Sequence, residues 1–279
     1  MPPMVSSPSA RTRRTELIMT IKVDPDWWKT LFDEIYLKTD ARSVCDQEIS
    51  RREVDLICNL LPLERGHRIL DMCGGQGRHS LELWERGYSD CTVLDYSPYL
   101  VDLGERTARE RNCGVRFLQG DARNTGLPSR SFDHVLILGN SLGYLPDDED
   151  DGRILSEAHR LLKPGSVLLI DITDGEKVIS ELNPNSWHEV DEDLVVCRRR
   201  EYNGNRIRAR EMVFSRQRGL LGDRSYAIRI YRPVEIETLV AGTGFVDIQV
   251  HRNFNPHENE GDYGFMNSRV LVTAKKTGG

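Results

Sequence analysis

With 279 residues, the chain is long enough for one large α/β domain with an insertion or for two small domains. A net charge of -6 counts against a nucleic-acid partner held by bulk electrostatics, although arginines cluster at 198–200 and 206–210, and no apolar run approaches the ~20 residues of a membrane span. The cysteines, at 45, 58, 73, 91, 113 and 197, form no Cys-x-x-Cys pair and several sit in expected core elements, so reduced thiols in a cytoplasmic protein are expected; the scattered histidines, with only His251 and His257 close together, predict no metal site.

Residues 1–18 read as a disordered tail of Pro, Ser and Arg. The Arg11-Thr-Arg13-Arg14 run and the lack of acids before Glu16 also suit a transit peptide, but a plain tail, or a start at Met19, fits better. An N-terminal helical region follows over 19–62. Within it, Asp26 to Leu37 carries Trp27, Trp28, Leu31, Phe32, Ile35 and Tyr36 at helical spacing, and serves either as a core helix or as a lid. Gln47 to Leu61 is a second helix, closed by Pro62.

Arg68 to His79 organises the rest. Ile69 to Met72 is a short buried strand containing Asp71; Gly74, Gly75 and Gly77 follow, and Leu81, Leu83 and Trp84 mark a helix face. A strand, a glycine turn and a helix N-terminus let a ligand approach bare backbone and unpaired N–H groups. Gly75-x-Gly77-x-x-Ser80 comes close to the dinucleotide fingerprint, yet Asp71 would repel a pyrophosphate and hold an ammonium. This stretch resembles the first motif of the class I S-adenosylmethionine-dependent methyltransferases. Its Cys-Gly-Gly-Gln-Gly-Arg-His form is similar to a bacterial group acting on small molecules.

Cys91 to Leu94 is the second strand, ending in Asp95-Tyr96-Ser97-Pro98, with a helix from Pro98 to about Asn112. Asp95 lies about 18 positions after Gly77, close to the ribose-binding acid of such folds. Val115 to Gln119 is the third strand. By the resemblance, Asp121 accepts from an adenine amino group and the Ala122 N–H meets the ring. His134 to Leu138 is the fourth strand, and Gly139 to Leu145 adds Asn140, Ser141 and Tyr144 at its carboxyl end. The acidic run Asp147 to Asp151 reads as a solvated helix start. That helix reaches Leu162, and Val167 to Ile172 is the fifth strand.

The pattern then alternates apolar and charged residues over 187–190, 194–202, 206–216 and 226–231, with Asn203-Gly204 as a hairpin turn and Glu201, Arg206, Arg208 and Arg210 facing solvent or a cleft. Val234 to Ala241 is a helix, Gly244-Phe245 opens a sixth strand to His251, and Met266 to Lys275 is the last strand. The expected fold is α/β: a Rossmann-like, mainly parallel sheet flanked by helices, formed by 63–176 and 233–279, with an antiparallel cap inserted at 177–232 and an N-terminal helical lid. The Leu-Lys-Pro-Gly, Tyr231-Arg-Pro-Val-Glu and Ala241-Gly-Thr-Gly-Phe segments extend the resemblance over about 25–276, loosely in the cap.

The resemblance implies methyl transfer from S-adenosylmethionine to an N or O atom of a small molecule. Its cofactor set would be Tyr36, Asp71, Gly74, Gly75, Gly77, Asp95, Tyr96, Asp121, Ala122, Leu138 and Asn140. Tyr144 and His188 are weak candidates for a general base. Arg229 and Tyr231 point the same way along a strand; they are either solvated or line the acceptor pocket beside Tyr144, with Arg229 gripping a carboxylate or phosphate. A nicotinamide-dependent dehydrogenase and a silent S-adenosylmethionine-binding regulator are the alternatives. Gly139-Asn140-Ser141-Leu142 stands where nucleobase amino methyltransferases carry a proline-aromatic tetrapeptide, which disfavours that substrate. A homodimer is left open.

Overall fold

The computed structural model describes residues 20–40, 44–255 and 268–278. The tail at 1–18, His257 and Met266 lie outside them. Seven strands form the main sheet in the order β10-β11-β5-β4-β1-β2-β3. They are β1 (Arg68–Met72), β2 (Asp90–Asp95), β3 (Arg116–Gln119), β4 (Phe132–Ile137), β5 (Leu162–Thr173), β10 (Phe245–Phe254) and β11 (Arg269–Lys276). The first five run parallel, while β11 is antiparallel to both β5 and β10. Helices on both faces explain why β1, β4 and β5 read as nearly continuous apolar runs. The order reverses at β1, which pairs with β2 on one side and β4 on the other. The carboxyl ends of these three strands therefore open a crevice at a topological switch point.

The flanking helices are α3 (Arg78–Glu85), α4 (Pro98–Glu110), α5 (Asp150–Leu161) and α7 (Pro233–Gly242), joined by α2 (Gln47–Leu60) from the N-terminal side and the short α6 (Gly175–Ser180) after β5. Ser97 caps α4, its hydroxyl accepting from Leu100 N at 3.2 Å, and Pro98 supplies the first turn.

The cap is a separate four-stranded antiparallel sheet, β6 (Asn185–Glu189), β7 (Leu194–Asn203), β8 (Arg206–Ser215) and β9 (Gly219–Arg229), in sequential order. Strict alternation buries Val196, Ile207, Ala209 and Val213 on its inner face. The hairpin turn sits one residue later than the Asn203-Gly204 reading: Asn203 pairs with Arg206, leaving Gly204 and Asn205 as the loop, with Gly204 at φ 68°.

Two other expectations change. The aromatic N-terminal segment is not one helix but a 3-10 turn at Trp27–Lys29 and α1 (Glu34–Thr39). Asp33 breaks it, adopting an extended conformation and accepting from Tyr36 N at 2.9 Å to restart the helix. The acidic run is solvated only over Asp147, Asp148 and Glu149; Asp150 and Asp151 are 1% and 0% exposed. Their charges meet arginines, Asp150 with Arg123 and Arg153, Asp151 with Arg229.

Candidate functional site

The chain turns sharply after β1. Cys73, Gly75 and Gly77 take φ of 61°, 58° and 75°, and the Cys73 and Gly74 N–H groups both donate to Leu94 O at 2.7 and 3.2 Å. A Cβ on Gly74 would lie 2.6 Å from the Asp71 carboxyl carbon, so glycine there keeps that acid reachable. Asp71 is fully buried. Its Oδ2 accepts from Ser80 Oγ at 3.0 Å, and Oδ1 has no partner among the described residues. Burial pushes its pKa up to about 7, with Asp95 adding to the rise, while the Ser80 hydrogen bond and Arg78 pull it down. An ammonium at Oδ1 would supply the missing partner and favour the charged form, whereas a phosphate would be repelled. The donor set thus fits S-adenosylmethionine better than a dinucleotide.

Asp95, at the end of β2, accepts from Gly75 N and Ser97 N at 2.8 Å each. It therefore shapes the glycine turn, and lone pairs remain on both oxygens for a diol. Burial raises its pKa, opposed by these backbone N–H groups. Asp121 is already engaged: Arg123 grips it through Nη2 at 2.6 Å, lowering its pKa, and the same guanidinium lies 5.4 Å from the Trp28 ring centroid. Asn140, at φ 62°, accepts from Thr173 N at 3.0 Å and from Thr173 Oγ1 at 3.2 Å. Burial raises the Tyr144 pKa, so this phenol keeps its proton at neutral pH and is suited to donate a hydrogen bond, not to act as a base.

These groups surround a cavity of about 220 Å³. Its floor is the carboxyl edge of the sheet, with Asp71, Gly74, Gly75, Asp95, Asp121 and Asn140, joined by Tyr96, Ala122, Leu138 and Tyr144. One wall is the N-terminal segment. Trp28 packs on Tyr96 (centroids 4.5 Å apart), Phe32 on Tyr36 and Tyr144 (5.0 and 5.5 Å), and Trp27 on Tyr226 of the cap (5.8 Å). Ser97 Oγ donates to Phe32 O at 2.6 Å, tying this wall to the floor. The opposite wall is the inner face of the cap.

Four expected site residues are elsewhere. Gly77 does not line the cavity; a Cβ there would meet the Phe117 ring at 2.6 Å, so this glycine serves the packing of α3 on the sheet. His188 lies on the edge strand β6, away from the lining. Arg229 and Tyr231 do share a side, but the side faces α5: Arg229 pairs with Asp148 and Asp151, and Tyr231 Oη donates to Asp151 Oδ2 at 2.6 Å. Arg229 is buried and is not among the residues lining this cavity; it acts as a clamp. Its N–H donates to Gly143 O at 2.7 Å, Asp151 accepts from Gly143 N at 3.0 Å, and Arg206 reaches the Leu145 and Pro146 carbonyls. The loop after β4 is thereby bolted to the cap.

Sequence reasoning missed Asp40, Gln76 and Arg78, and the cap residues Arg198, Arg200, Glu211, Arg224 and Tyr226, all of which line the cavity. A signal was present: Arg198 and Arg200 occupy the inward register of β7, continuing Leu194 and Val196, where apolar residues would be the default. Arg78 is held by Glu53, which also pairs with His79 and with the fully buried Arg269. Among the described residues, no group of three or more His, Cys, Asp or Glu is disposed to hold a metal, and no helix is long and apolar enough to cross a membrane.

Residues 69–165 match the family profile described as "Methyltransferase domain". A glycine/sarcosine N-methyltransferase of Parasynechococcus marenigrum (strain WH8102) is 32% identical over 129 residues, 46% of this chain and 45% of that protein. A demethylmenaquinone methyltransferase of Geobacillus kaustophilus (strain HTA426) is 33% identical over 108 residues, 38% of this chain and 44% of that protein. The matched region thus spans about half the length of these curated relatives. Among solved structures, an S-adenosylmethionine-dependent methyltransferase from Clostridium acetobutylicum ATCC 824 superposes with a TM-score of 0.67 at 18% identity, covering 88% of this chain and 97% of that one. A sugar N-methyltransferase from Streptoalloteichus sp. ATCC 53650 gives 0.56 at 21%, covering 84% and 87%.

Proposed function

We propose that this chain, whose residues 69–165 match a methyltransferase-domain profile, moves a methyl group from S-adenosylmethionine to a nitrogen or oxygen of a small molecule. The observation that carries the reading is Asp71, a buried carboxylate with one unpartnered oxygen beside a left-handed glycine turn. Asp71 would hold the ammonium, the Gly75 turn would pass close to the methionine chain, and Asp95 would accept from the ribose hydroxyls. Asp121 and Ala122 would meet the adenine. When bound, the cofactor supplies a methyl group already activated by its positive sulfur. What remains for the protein is in-line placement of the acceptor and exclusion of water. Aromatic residues from three directions, Phe32, Tyr144 and Tyr226, enclose the space where the acceptor would lie. Of these three, the two tyrosines keep their protons at neutral pH because burial raises their pKa values, which favours an acceptor that arrives neutral, such as an amine.

The relatives support a small acceptor: glycine or sarcosine in one, demethylmenaquinone in another, a sugar amine in a third by their names. Incubating the protein with methyl-labelled S-adenosylmethionine and a small-molecule extract tests the proposal. Label is expected in a low-mass product. Label that stays with the cofactor throughout would reduce the chain to a binding protein.

A further inference from the structure

We propose that Arg198 of the cap anchors a carboxylate on the methyl acceptor, so that the substrate is a small carboxylic acid bearing the nucleophilic nitrogen or oxygen. This rests on the methyl-transfer reading and names its substrate class. Arg198, Glu211 and Arg224 stand directly opposite one another on β7, β8 and β9 and form a row that lines the cavity. The next inward row places Arg200 and Tyr226 beside them. Arg198 and Arg224 share one carboxylate, Glu211, so this row needs further negative charge to balance it.

The structure supplies that charge from the N-terminal segment, and supplies it unevenly. Glu211 serves both neighbours, accepting from Arg198 Nε at 2.6 Å and from Arg224 Nε and Nη2 at 3.0 Å. Arg224 is completed by Asp33 at 3.0 Å and by Leu31 O at 3.1 Å. Arg198 is completed only loosely among the described residues: one nitrogen, Nη2, reaches the two oxygens of Asp40, both at 3.3 Å. Charge-assisted N–H···O bonds normally close to about 2.7–2.9 Å. The Asp40 side chain is 35% exposed and that of Arg198 8%. The acid can turn out into water, whereas the guanidinium stays in the cavity. Asp40 is thus a placeholder whose carboxylate a substrate carboxylate would replace on Arg198 Nη2, with Tyr226 and Tyr144 walling the remainder of the molecule.

The test is label transfer from methyl-labelled S-adenosylmethionine into a small-molecule extract split on an anion exchanger, at a pH high enough to leave amines neutral. The labelled product is expected in the retained fraction, with a carboxylate identified by mass. Label confined to compounds without a carboxylate overturns the inference and leaves methyl transfer standing; no label anywhere defeats methyl transfer and this inference with it. With the acceptor so identified, Arg198→Gln should raise its KM about tenfold or more while leaving S-adenosylhomocysteine affinity unchanged. Loss of Arg198 also deprives Glu211 of a partner, so the decisive variant is Asp40→Asn. It removes the competing charge and should lower the acceptor KM; an unchanged or raised KM would make Asp40 a clasp of the N-terminal segment and overturn the inference.

Discussion

Asp71 combines full burial, a pKa near 7 and an oxygen without a partner, and these have opposite consequences for stability and binding. Its folded pKa lies above the ordinary value of 3.8, so the folded protein holds a proton there that the unfolded chain has released. The group therefore costs stability increasingly as pH rises between those two values, and the full cost is present above about 7. A cationic ligand needs the ionised form. S-adenosylhomocysteine affinity should then fall as pH drops below about 7, and Asp71→Asn should flatten that dependence, weaken binding and leave the melting temperature at pH 8 unchanged or higher. Calorimetry across pH and thermal melts check this; a variant that melts early and binds normally once folded would contradict it. Asp95→Ala should behave otherwise. Asp95 holds Gly75 N and Ser97 N as well as facing the cavity, so both stability and cofactor affinity should drop, by about 1.5–3 kcal/mol per lost charged hydrogen bond. Unchanged affinity would confine Asp95 to a structural role. These acids were legible in the sequence because each closes a strand within a few residues of a glycine or proline turn. Asp40 and Arg198 were not, because what makes them neighbours is the pairing of a cap strand with a segment about 160 residues away.

At the level of elements, the regular strands followed from apolar runs and the cap from alternation, while charge partners decided the departures. The acidic run reads as solvated in one dimension; in the fold it receives Arg123 from the turn after β3 and Arg229 from β9, which no local spacing reveals. Asp151 is the centre of that junction, bound to Arg229, Tyr231 and Gly143 N. Removing one partner of a buried pair typically costs about 3–5 kcal/mol because the other charge is left uncompensated. Asp151→Ala should therefore lower stability to denaturant by that order, and Arg229→Lys should affect stability with little change in acceptor KM. An Arg229→Lys enzyme of full stability whose acceptor KM rises sharply would return this arginine to the substrate.

In the whole molecule, the carboxyl edge of the parallel sheet provides the floor of the cavity, and two segments distant in sequence close over it. The N-terminal wall is held to the floor by Ser97 and to the cap by Asp33, Asp40 and the Ile21 N–H, which donates to Glu201 at 2.7 Å. Its aromatic residues bridge both, which accords with a lid and with core packing alike. If it is a lid, limited proteolysis near Trp28 to Tyr36 should slow when S-adenosylhomocysteine is present; equal cutting rates would make it a fixed wall. Asp71 and the glycine turn are expected to select an ammonium-bearing nucleoside over a pyrophosphate. Titration calorimetry of the full chain with S-adenosylmethionine, S-adenosylhomocysteine and NAD tests it most directly. Saturable one-to-one binding of the first two and none of NAD is predicted; binding of NAD alone would contradict it.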